Sequence, residues 1–395
     1  MYKRISTLPL SSKETCFLWG PRQVGKTSLL KQLFPRARRY DLLLSTEFRR
    51  LSANPALIRQ ECEALGLSGS NQESPIIIDE IQKIPELLDE VHWLIENRGL
   101  RFVLCGSSAR KLKRSCANLL GGRAIRYELF PLVYPEIPDF SLSRAINHGL
   151  VPRHYISPDS WALRQSYIGE YLKEEIQYEA RLRNLAAFNR FLEVSALTCG
   201  EIVNYENIAR ECAVSAPTAR EYFQILVDTL LGFYLPAYVK RAKRRLVRAP
   251  KFYLFDVGVA AALTRRRVVE EGTELFGKAF EHFICQQLVA HASYSGLSYQ
   301  LTYWRTSSGF EVDFVLGDCQ AAVEVKAAAQ AHDGHLKGLR AFGEEYPGVQ
   351  RILVSLDASA RQTADGIRIL PWRVFLDELF GGRLIKGWPE LCVTA

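Results

Sequence analysis

The stretch GPRQVGKTS, residues 20–28, follows the apolar run 17–19 and decides the fold of the N-terminal part of the chain. Its first eight residues match the pattern G-x-x-x-x-G-K-[ST] at every fixed position. Gly20 and Gly25 permit a tight loop whose backbone N–H groups point inward at phosphate oxygens. The residues after the loop begin a helix, and a helix N-terminus favours an anion. The stretch therefore predicts a strand, a phosphate-binding loop and a helix, in that order.

This loop predicts a nucleotide site that uses ATP and Mg²⁺. Lys26 is expected to reach the β- and γ-phosphates and to act in catalysis, and the Thr27 hydroxyl is expected to ligate Mg²⁺. The nucleotide-binding residues predicted from the stretch are Gly20, Pro21, Arg22, Gln23, Val24, Gly25, Lys26, Thr27 and Ser28.

A second apolar run, SPIIIDEIQKIP at residues 74–85, ends in two carboxylates. Three consecutive isoleucines predict a strand that is buried on both faces of a parallel sheet. Sheets of this kind place their sites at the carboxyl ends of the strands. Asp79 is therefore predicted to hold Mg²⁺, directly or through water. Glu80 is predicted to orient and polarise the attacking water.

A third apolar run, RFVLCGSSARKL at residues 101–112, ends in two hydroxyl side chains. We expect Ser107 or Ser108 to contact the γ-phosphate or the attacking water. A plain serine-rich turn is the alternative interpretation.

Taken together, GPRQVGKT, IIIDEIQKIP, FVLCGSSARKL and NLLGGRAIRYELFPL resemble the bacterial and archaeal predicted ATPases of the AAA+ type that carry a DUF4143 C-terminal region. KFYLFDVGVAAAL (251–263) and FEHFICQQL (280–288) resemble that C-terminal region. The resemblance covers most of the chain, and it implies ATP binding and hydrolysis on an AAA+-like sheet.

The same resemblance gives roles to several side chains. It implies that Ser107 or Ser108 acts as sensor 1. It also implies a homo-oligomer, with a hexamer as one option, in which an arginine of a neighbouring subunit completes the ATP site. Arg123 is the first candidate for that arginine, and Arg126 and Arg110 are its rivals. A salt bridge on the domain surface is the alternative role for Arg123.

The middle of the chain is expected to be helical. Residues 130–158 contain several prolines and are interpreted as a linker. Further on, Ser215 and Pro217 suit the start of a helix after the turn 213–215, which is typical of a helix-turn-helix with a basic wing after it. Thr218, Arg220 and Gln224 are expected to face DNA. An interdomain module that makes protein contacts is the alternative.

Positive charge is concentrated after this helix pair. Residues 236–267 hold ten basic side chains and one acid, whereas the net charge of the whole chain is +8. A local cluster of this kind indicates a polyanion partner, and DNA is the predicted one. The basic residues expected to contact it are Lys240, Arg241, Lys243, Arg244 and Arg245.

The stretch TYWRTSSGFEVDFVLGDCQAAVEVKAAAQ, residues 302–330, predicts a β-hairpin. Asp313 lies on its first strand, Glu324 and Lys326 lie on its second, and Glu281 is expected to join them from a helix. Two acids and a lysine on adjacent strands suit Mg²⁺-dependent phosphodiester hydrolysis. The order Glu281, Asp313, Glu324-x-Lys326 resembles the PD-(D/E)xK nucleases, with Val312 in place of the proline. A degenerate domain that binds nucleic acid or protein is the alternative.

The predicted fold class is α/β: an AAA+-like parallel sheet at 1–150, a helical and winged-helix-like part at 151–270, and a restriction-endonuclease-like domain at 271–395. With 48% hydrophobic residues, the composition is that of a packed globular protein. Nine scattered cysteines without a CxxC pair, and the lack of a long apolar segment, favour a cytoplasmic protein without a membrane partner. The expected function is an ATPase that works with nucleic acid. A nucleotide-gated protein-interaction switch and an ATP-controlled nuclease are the alternatives.

Overall fold

The computed structural model describes residues 2–5, 14–108, 120–172, 184–240, 243–297 and 299–385. The chain forms two compact units. The smaller unit comprises Ser6–Pro131 and Asp228–Leu231, and the larger unit comprises Met1–Ile5, Leu132–Val227 and Gly232–Ala395. The predicted domain boundaries at residues 150 and 270 stay predictions. The second and third predicted domains pack together within the larger unit.

The smaller unit contains a five-stranded parallel sheet, which confirms the predicted α/β fold. Its strands are Thr15–Trp19 (β1), Arg39–Asp41 (β2), Ile76–Asp79 (β3), Phe102–Gly106 (β4) and Ala124–Glu128 (β5). They lie side by side in the order β2-β3-β4-β1-β5. All four residues of β3 are buried, because helices cover both faces of a parallel sheet.

Four helices of this unit connect the strands or flank them. They are Lys26–Leu33 (α1), Ser45–Ala53 (α2), Leu57–Ala64 (α3) and Leu87–Arg98 (α4). The apolar faces of α2, α3 and α4 pack on one side of the sheet in a cluster that includes Leu51, Ile58 and Val91 with Ile76 and Ile78. Because the strands are parallel, the carboxyl ends of β1, β3 and β4 lie at one edge of the sheet.

The larger unit begins with helices where the prolines had indicated a linker, and that prediction is wrong. Its first helices are Leu142–His148 (α5), Pro152–Ile156 (α6) and Ser160–Ser166 (α7). Leu132, Ile137 and Phe140 are buried in its main core. Pro152 stands in the first turn of α6, where a missing N–H leaves no hydrogen bond unmade.

A helix pair joined by a short turn occupies the predicted helix-turn-helix region. Leu185–Leu197 (α8) precedes the pair, which consists of Tyr205–Cys212 (α9) and Ala216–Asp228 (α10). Ala213 adopts a left-handed conformation with φ 54°, and Ser215 Oγ accepts the N–H of Thr218, as its predicted capping role requires. Leu230 lies beyond the end of α10, is half-buried and packs against the core of the smaller unit.

A two-stranded antiparallel sheet follows this helix pair. It consists of Gly232–Leu235 (β6) and Lys251–Leu254 (β7). The segment between the two strands returns along the C-terminal sheet, where Val247 N–H donates to the carbonyl of Arg305 at 2.9 Å.

The C-terminal sheet has six strands, which are Leu301–Arg305 (β8), Glu311–Leu316 (β9), Ala321–Val325 (β10), Gln350–Ser355 (β11), Arg361–Gln362 (β12) and Arg368–Pro371 (β13). They lie side by side in the order β12-β13-β11-β10-β9-β8. The antiparallel β9 and β10 form the predicted hairpin, whereas β10 and β11 are parallel. The sheet is therefore mixed.

Helices cover both faces of this mixed sheet. Val257–Leu263 (α11) packs on α5, α7 and α8, and the helices on the sheet are Glu274–Tyr294 (α12), Lys337–Glu345 (α13) and Trp372–Phe380 (α14). Phe280 and Leu376 pack with Phe314 on one face, and Leu339 and Phe342 pack on the other. Among the described helices, none has both the length and the apolar composition required to cross a membrane.

The buried segment at 132–156 predicts a large stability effect. Phe140 is 6% exposed and its ring contacts those of Tyr134, Phe283 and Trp372. Phe140→Ala is expected to lower the free energy of unfolding by about 3–5 kcal/mol, as large-to-small changes in a core do. Urea denaturation followed by near-ultraviolet circular dichroism measures this loss.

The matched control is Ile156→Ala in the same segment, since Ile156 is 58% exposed. Its effect is expected to stay within about 0.5 kcal/mol. Equal effects of the two substitutions would mean that the segment is a linker.

Candidate functional site

The loop between β1 and α1 has the shape of a phosphate-binding loop. Gly25 has φ 98°, a left-handed conformation that favours glycine, and Gln23 has φ 63°. A Cβ on Gly20 would collide with the carbonyl oxygen of Leu129, so the backbones approach closely there. The predicted nucleotide-binding residues Gly20, Pro21, Arg22, Gln23, Val24, Gly25, Lys26, Thr27 and Ser28 all lie on this loop or in the first turn of α1.

Lys26 is 6% exposed, and the loop itself holds its ammonium group. Its Nζ donates to the carbonyl of Gly20 at 2.6 Å and to that of Pro21 at 2.9 Å. The charge is therefore kept inside the loop by two neutral acceptors. A phosphate oxygen, being anionic, is a stronger acceptor for an ammonium than a carbonyl is.

Thr27 and Asp79 meet at the carboxyl edge of the sheet. Thr27 Oγ1 donates to Asp79 Oδ2 at 2.6 Å. The other oxygen, Asp79 Oδ1, is buried and has no hydrogen-bond partner among the described residues. A hydroxyl and a carboxylate with an unsatisfied oxygen are the hard ligands that Mg²⁺ prefers. These two residues therefore fit the predicted Mg²⁺.

Glu80 lies next to this pair in a network of buried polar side chains. It is 6% exposed and has a left-handed backbone with φ 60°, which is uncommon outside glycine. Ser107 Oγ donates to Glu80 Oε2 at 3.1 Å. Gln82 Nε2 donates to the same carboxylate oxygen and, at 3.0 Å, to Ser107 Oγ. The carboxylate therefore has a defined orientation at the end of β3.

Sequence reasoning missed Gln82. The available signal was its place two residues after Glu80 in the stretch DEIQ, beyond the strand end. Ser107 contacts Glu80, whereas Ser108 is buried beside it at the end of β4. The structure thus brings Lys26, Thr27, Asp79, Glu80 and Ser107 to one edge of the sheet.

The three candidate arginines lie in different surroundings. Arg123 forms an ion pair with Glu96 of α4, and both side chains are more than 40% exposed. Arg126 pairs with Glu128 on β5 at 2.5 Å. Arg110 lies outside the described residues. The alternative role of Arg123 in a surface salt bridge is therefore present, and its role toward a neighbouring subunit stays a prediction.

The residues predicted for nucleic acid lie on α10 and in the segment between β6 and β7. On α10, Arg220 and Gln224 are exposed, and the guanidinium of Arg220 lies 4.8 Å from the ring of Tyr205. Thr218 is half-buried, and its hydroxyl lies 2.8 Å from that of Ser215. Arg241 lies outside the described residues.

Residues 240 and 243–248, called the basic segment below, lie against the C-terminal sheet and the helix α13. Lys240 pairs with Asp318 at 2.9 Å, and Arg244 pairs with Glu344 at 2.7 Å. These two cations are therefore engaged by the protein itself. Lys243, Arg245 and Arg248 are exposed.

The residues of the predicted nuclease-like site share an open cavity of about 660 Å³. This carboxylate cavity is lined by the acids Glu281, Glu311, Asp313 and Glu324 and by the cations Lys251, Arg305 and Lys326, among others. Lys326 Nζ lies 2.6 Å from Glu324 Oε1 and 4.0 Å from Asp313 Oδ2. The structure thus brings Glu281, Asp313, Glu324 and Lys326 to one cavity.

Burial and crowding shift the pKa values of these groups. Burial, with the nearby Glu281, raises the pKa of Asp313 to about 6. Burial, with the nearby Asp313, raises the pKa of Glu324 well above its usual range. For Lys251, burial favours loss of the proton, but Glu281, Asp313 and Glu311 together raise its pKa. The ammonium of Lys251 is therefore retained inside the cavity.

The predicted metal role of these carboxylates stays a prediction. Among the residues that the structure describes, no group of three or more His, Cys, Asp or Glu side chains is arranged to hold a metal ion. Sequence reasoning missed Lys251, which lies between the acids. The sequence gives little indication of this position, because Lys251 is one of ten basic side chains within residues 236–267.

Three family descriptions match successive parts of the chain. "AAA domain" matches residues 12–138, "Domain of unknown function (DUF8612)" matches residues 140–269, and "Domain of unknown function (DUF4143)" matches residues 276–375. The chain therefore carries an AAA domain and a C-terminal DUF4143 domain, as the motifs had indicated. The PD-(D/E)xK resemblance stays a prediction.

Two curated relatives are the uncharacterized proteins Mb2031c of Mycobacterium bovis (strain ATCC BAA-935 / AF2122/97) and Rv2008c of Mycobacterium tuberculosis (strain ATCC 25618 / H37Rv). Each is 29% identical over 305 residues, which is 75% of this chain and 66% of the relative. The match thus spans just under two thirds of their length.

Among solved structures, the Walker-type ATPase paby2304 of Pyrococcus abyssi is similar, with a TM-score of 0.43 and 14% identity over 63% of this chain and 90% of that one. The ORC1 protein of Aeropyrum pernix, solved in complex with DNA, has a TM-score of 0.25 and 14% identity over 64% of this chain and 86% of that one.

The network around Glu80 predicts a kinetic role for Gln82. Gln82→Leu removes the amide donor to Glu80 but keeps the side-chain volume. ATP turnover is expected to fall by about 10- to 100-fold, as for loss of a hydrogen bond to a charged group. The KM for ATP is expected to change little, because the hydrogen bonds of Gln82 go to Glu80 and Ser107 and not to the nucleotide-binding loop. Steady-state phosphate release measures both constants.

Gln60→Leu, on the exposed side of α3, is the matched control and is expected to leave both constants unchanged. If turnover of Gln82→Leu matched that of the wild type, Gln82 would have no part in positioning Glu80.

Proposed function

We propose that this chain binds ATP with Mg²⁺ and hydrolyses it in its AAA domain. The observation that carries the proposal is the meeting of three elements at one edge of the parallel sheet. These are the phosphate-binding loop with Lys26, the pair Thr27 and Asp79 with its unsatisfied buried oxygen, and the oriented carboxylate of Glu80. Each of these elements alone is common in proteins, but together they meet the requirements of phosphoryl transfer.

Each side chain of the site has its own role in ATP binding or hydrolysis. The loop N–H groups and the N-terminus of α1 bind phosphate oxygens. When the nucleotide binds, the ammonium of Lys26 donates to phosphate oxygens instead of to the carbonyls of Gly20 and Pro21. Thr27 and Asp79 hold Mg²⁺, which when bound neutralises charge on the phosphates. Glu80 accepts a hydrogen bond from the attacking water and polarises it. Ser107 and Gln82 keep the carboxylate in place.

We further propose that the ATPase is completed by a neighbouring copy of the chain. Arg123 is the first candidate for the arginine that reaches across, since its partner Glu96 is exposed and an exposed ion pair costs little to break. The number of subunits, with a hexamer as one option, is part of the same proposal.

We also propose that a nucleic acid, with DNA as the first choice, binds at the basic segment. Lys243, Arg245 and Arg248 are exposed there and suit phosphate contacts, which are insensitive to sequence and weakened by salt. The helices α9 and α10 are less suited, because they carry four acidic and two basic side chains. Contacts of Thr218, Arg220 and Gln224 with DNA are therefore secondary in this proposal.

The acidity of α9 and α10 favours a second candidate function. In that function the helix pair binds a protein, and ATP hydrolysis acts as a timer for the contact. The two candidates differ in the role of the basic segment, since a protein-binding switch does not need its exposed cations.

The ATP site is tested by Lys26→Ala. Loss of the ammonium is expected to lower ATP turnover by more than about 100-fold, because the charge compensates the β- and γ-phosphates. Phosphate release and binding of a fluorescent ATP analogue measure turnover and affinity.

Lys31→Ala in the last turn of α1 removes the same charge from an exposed position and is the matched control. Unchanged hydrolysis by Lys26→Ala would refute the assignment of the site.

The nucleic-acid proposal is tested by reversing charges. The variant Lys243→Glu, Arg245→Glu, Arg248→Glu is expected to weaken DNA binding by at least about tenfold at 50 mM salt, because several phosphate contacts are lost. Arg244 is left unchanged, because it is half-buried and pairs with Glu344. Fluorescence anisotropy with duplex and single-stranded DNA at several salt concentrations measures the change.

Arg190→Glu, Arg210→Glu, Arg220→Glu reverses the same number of exposed charges on α8, α9 and α10 and is the control. A larger loss in this second variant would move the binding surface to the helix pair. If the wild type bound no DNA at all, the protein-binding switch would be the better function.

A further inference from the structure

The carboxylate cavity contains a lysine at the place where the acids converge. Lys251 is the first residue of β7, and its side chain is 5% exposed. Its Nζ lies 2.8 Å from Glu311, 3.5 Å from Glu281 and 3.9 Å from Asp313. The ring of Tyr303 lies 5.5 Å from the same ammonium. One cation thus faces three carboxylates that come from α12 and β9.

Other donors of the protein engage the same carboxylates. Tyr253, two residues after Lys251 and therefore on the same face of β7, donates its hydroxyl to Glu281 Oε1 at 2.6 Å. Arg305 lies 3.1 Å from Glu311 Oε2. The N–H of Val325 donates to Asp313 Oδ2 at 2.8 Å. A metal ion that used Glu281 Oε1 or Asp313 Oδ2 would compete with these donors for the same oxygens.

Glu324 is the partial exception among these acids. Lys326 engages its Oε1 at 2.6 Å, but its Oε2 is buried and has no hydrogen-bond partner among the described residues. The Lys326 ammonium is therefore already present as a cation beside this carboxylate.

The charges of the cavity suit an ammonium better than a divalent ion, and the separations of Lys251 Nζ from Glu311 and Glu281 are those of ion pairs. Four acids of the cavity face the three cations Lys251, Arg305 and Lys326. The fifth acid, Glu201, pairs with Lys278 at 3.0 Å. The three cations therefore neutralise most of the negative charge of the four acids. A divalent ion bound in addition would give the cavity a net positive charge.

We propose that Lys251 is a built-in substitute for the divalent cation in the carboxylate cavity, so that the DUF4143 domain is not a metal-dependent nuclease. The ammonium instead joins β7 to α12 and β9 and so ties the sheet that follows the helix pair to the C-terminal sheet. Glu281, Asp313 and Glu324 serve this internal network.

Metal binding by the nucleotide-free full-length chain is the decisive measurement. Because Thr27 and Asp79 also suit a metal ion, every protein compared carries Asp79→Asn. Titration with Mn²⁺ followed by electron paramagnetic resonance counts the bound ions without any need for enzymatic activity. Adding Asp313→Asn is expected to leave the number and affinity of bound Mn²⁺ ions unchanged, since no ion occupies the cavity. Loss of a bound ion on that substitution would overturn the proposal.

Removing the ammonium is expected to open the site. Lys251→Met keeps the length of the side chain and leaves Glu281, Glu311 and Asp313 without their shared cation. The affinity for one Mn²⁺ is expected to rise by at least about tenfold, because a like charge a few Å away no longer repels the ion. The temperature of unfolding of this variant is expected to rise with added Mn²⁺.

Lys278→Met, which removes a lysine from the exposed side of α12, is the matched control and is expected to gain no ion. A folded Lys251→Met variant that bound no additional Mn²⁺ would contradict the proposal. If Lys251→Met did not fold, the comparison of the Asp79→Asn protein with and without Asp313→Asn would still show whether an ion occupies the cavity. None of these readouts depends on ATP hydrolysis, so the proposal and the ATPase proposal can fail separately.

Discussion

Parallel pairing of β1, β4 and β3 is the constraint on which the candidate ATP site depends. In a parallel sheet all strands end at the same edge, so the loop after β1, the acids after β3 and the serines after β4 come together although they are up to 80 or so residues apart. The register sets Asp79 beside Cys105, one residue before the end of β4. The hydrogen bond from Thr27 to Asp79 then closes the gap between loop and strand.

The two charged sites of this chain differ in how their negative charge is balanced. At the nucleotide site, Asp79 keeps one buried oxygen without a partner, and Lys26 is held by neutral carbonyls that an anion can replace. In the carboxylate cavity, ammonium, guanidinium, hydroxyl and backbone donors engage the acids. An unsatisfied buried carboxylate oxygen is costly. Glu324 Oε2 in the cavity also has no partner among the described residues, but the ammonium of Lys326 lies beside the same carboxylate, whereas Asp79 is held by the hydroxyl of Thr27. The first site is thus built to receive a cation, and the second already contains one.

Proline content misled the interpretation of residues 130–158. Prolines are frequent in linkers, but proline also suits the first turn of a helix, which is where Pro152 lies. The residues around these prolines are apolar, and Phe140 contributes its ring to the main core of the larger unit. The burial of these residues depends on partners such as Phe283 and Trp372, which lie more than 140 residues later in the chain.

By itself, the sequence determined the phosphate-binding loop, the parallel sheet, the acids Asp79 and Glu80 at a strand end, and the hairpin that carries Asp313 and Glu324. These features follow from local patterns, in which a few neighbouring residues decide the backbone and the direction of a side chain. Only the tertiary structure decided that Gln82 and Ser107 orient Glu80 and that Lys251 stands among the acids of the cavity. Those contacts join elements far apart in the chain, and Lys251, as one cation within a basic stretch, has no sequence pattern that marks it as an internal counter-ion.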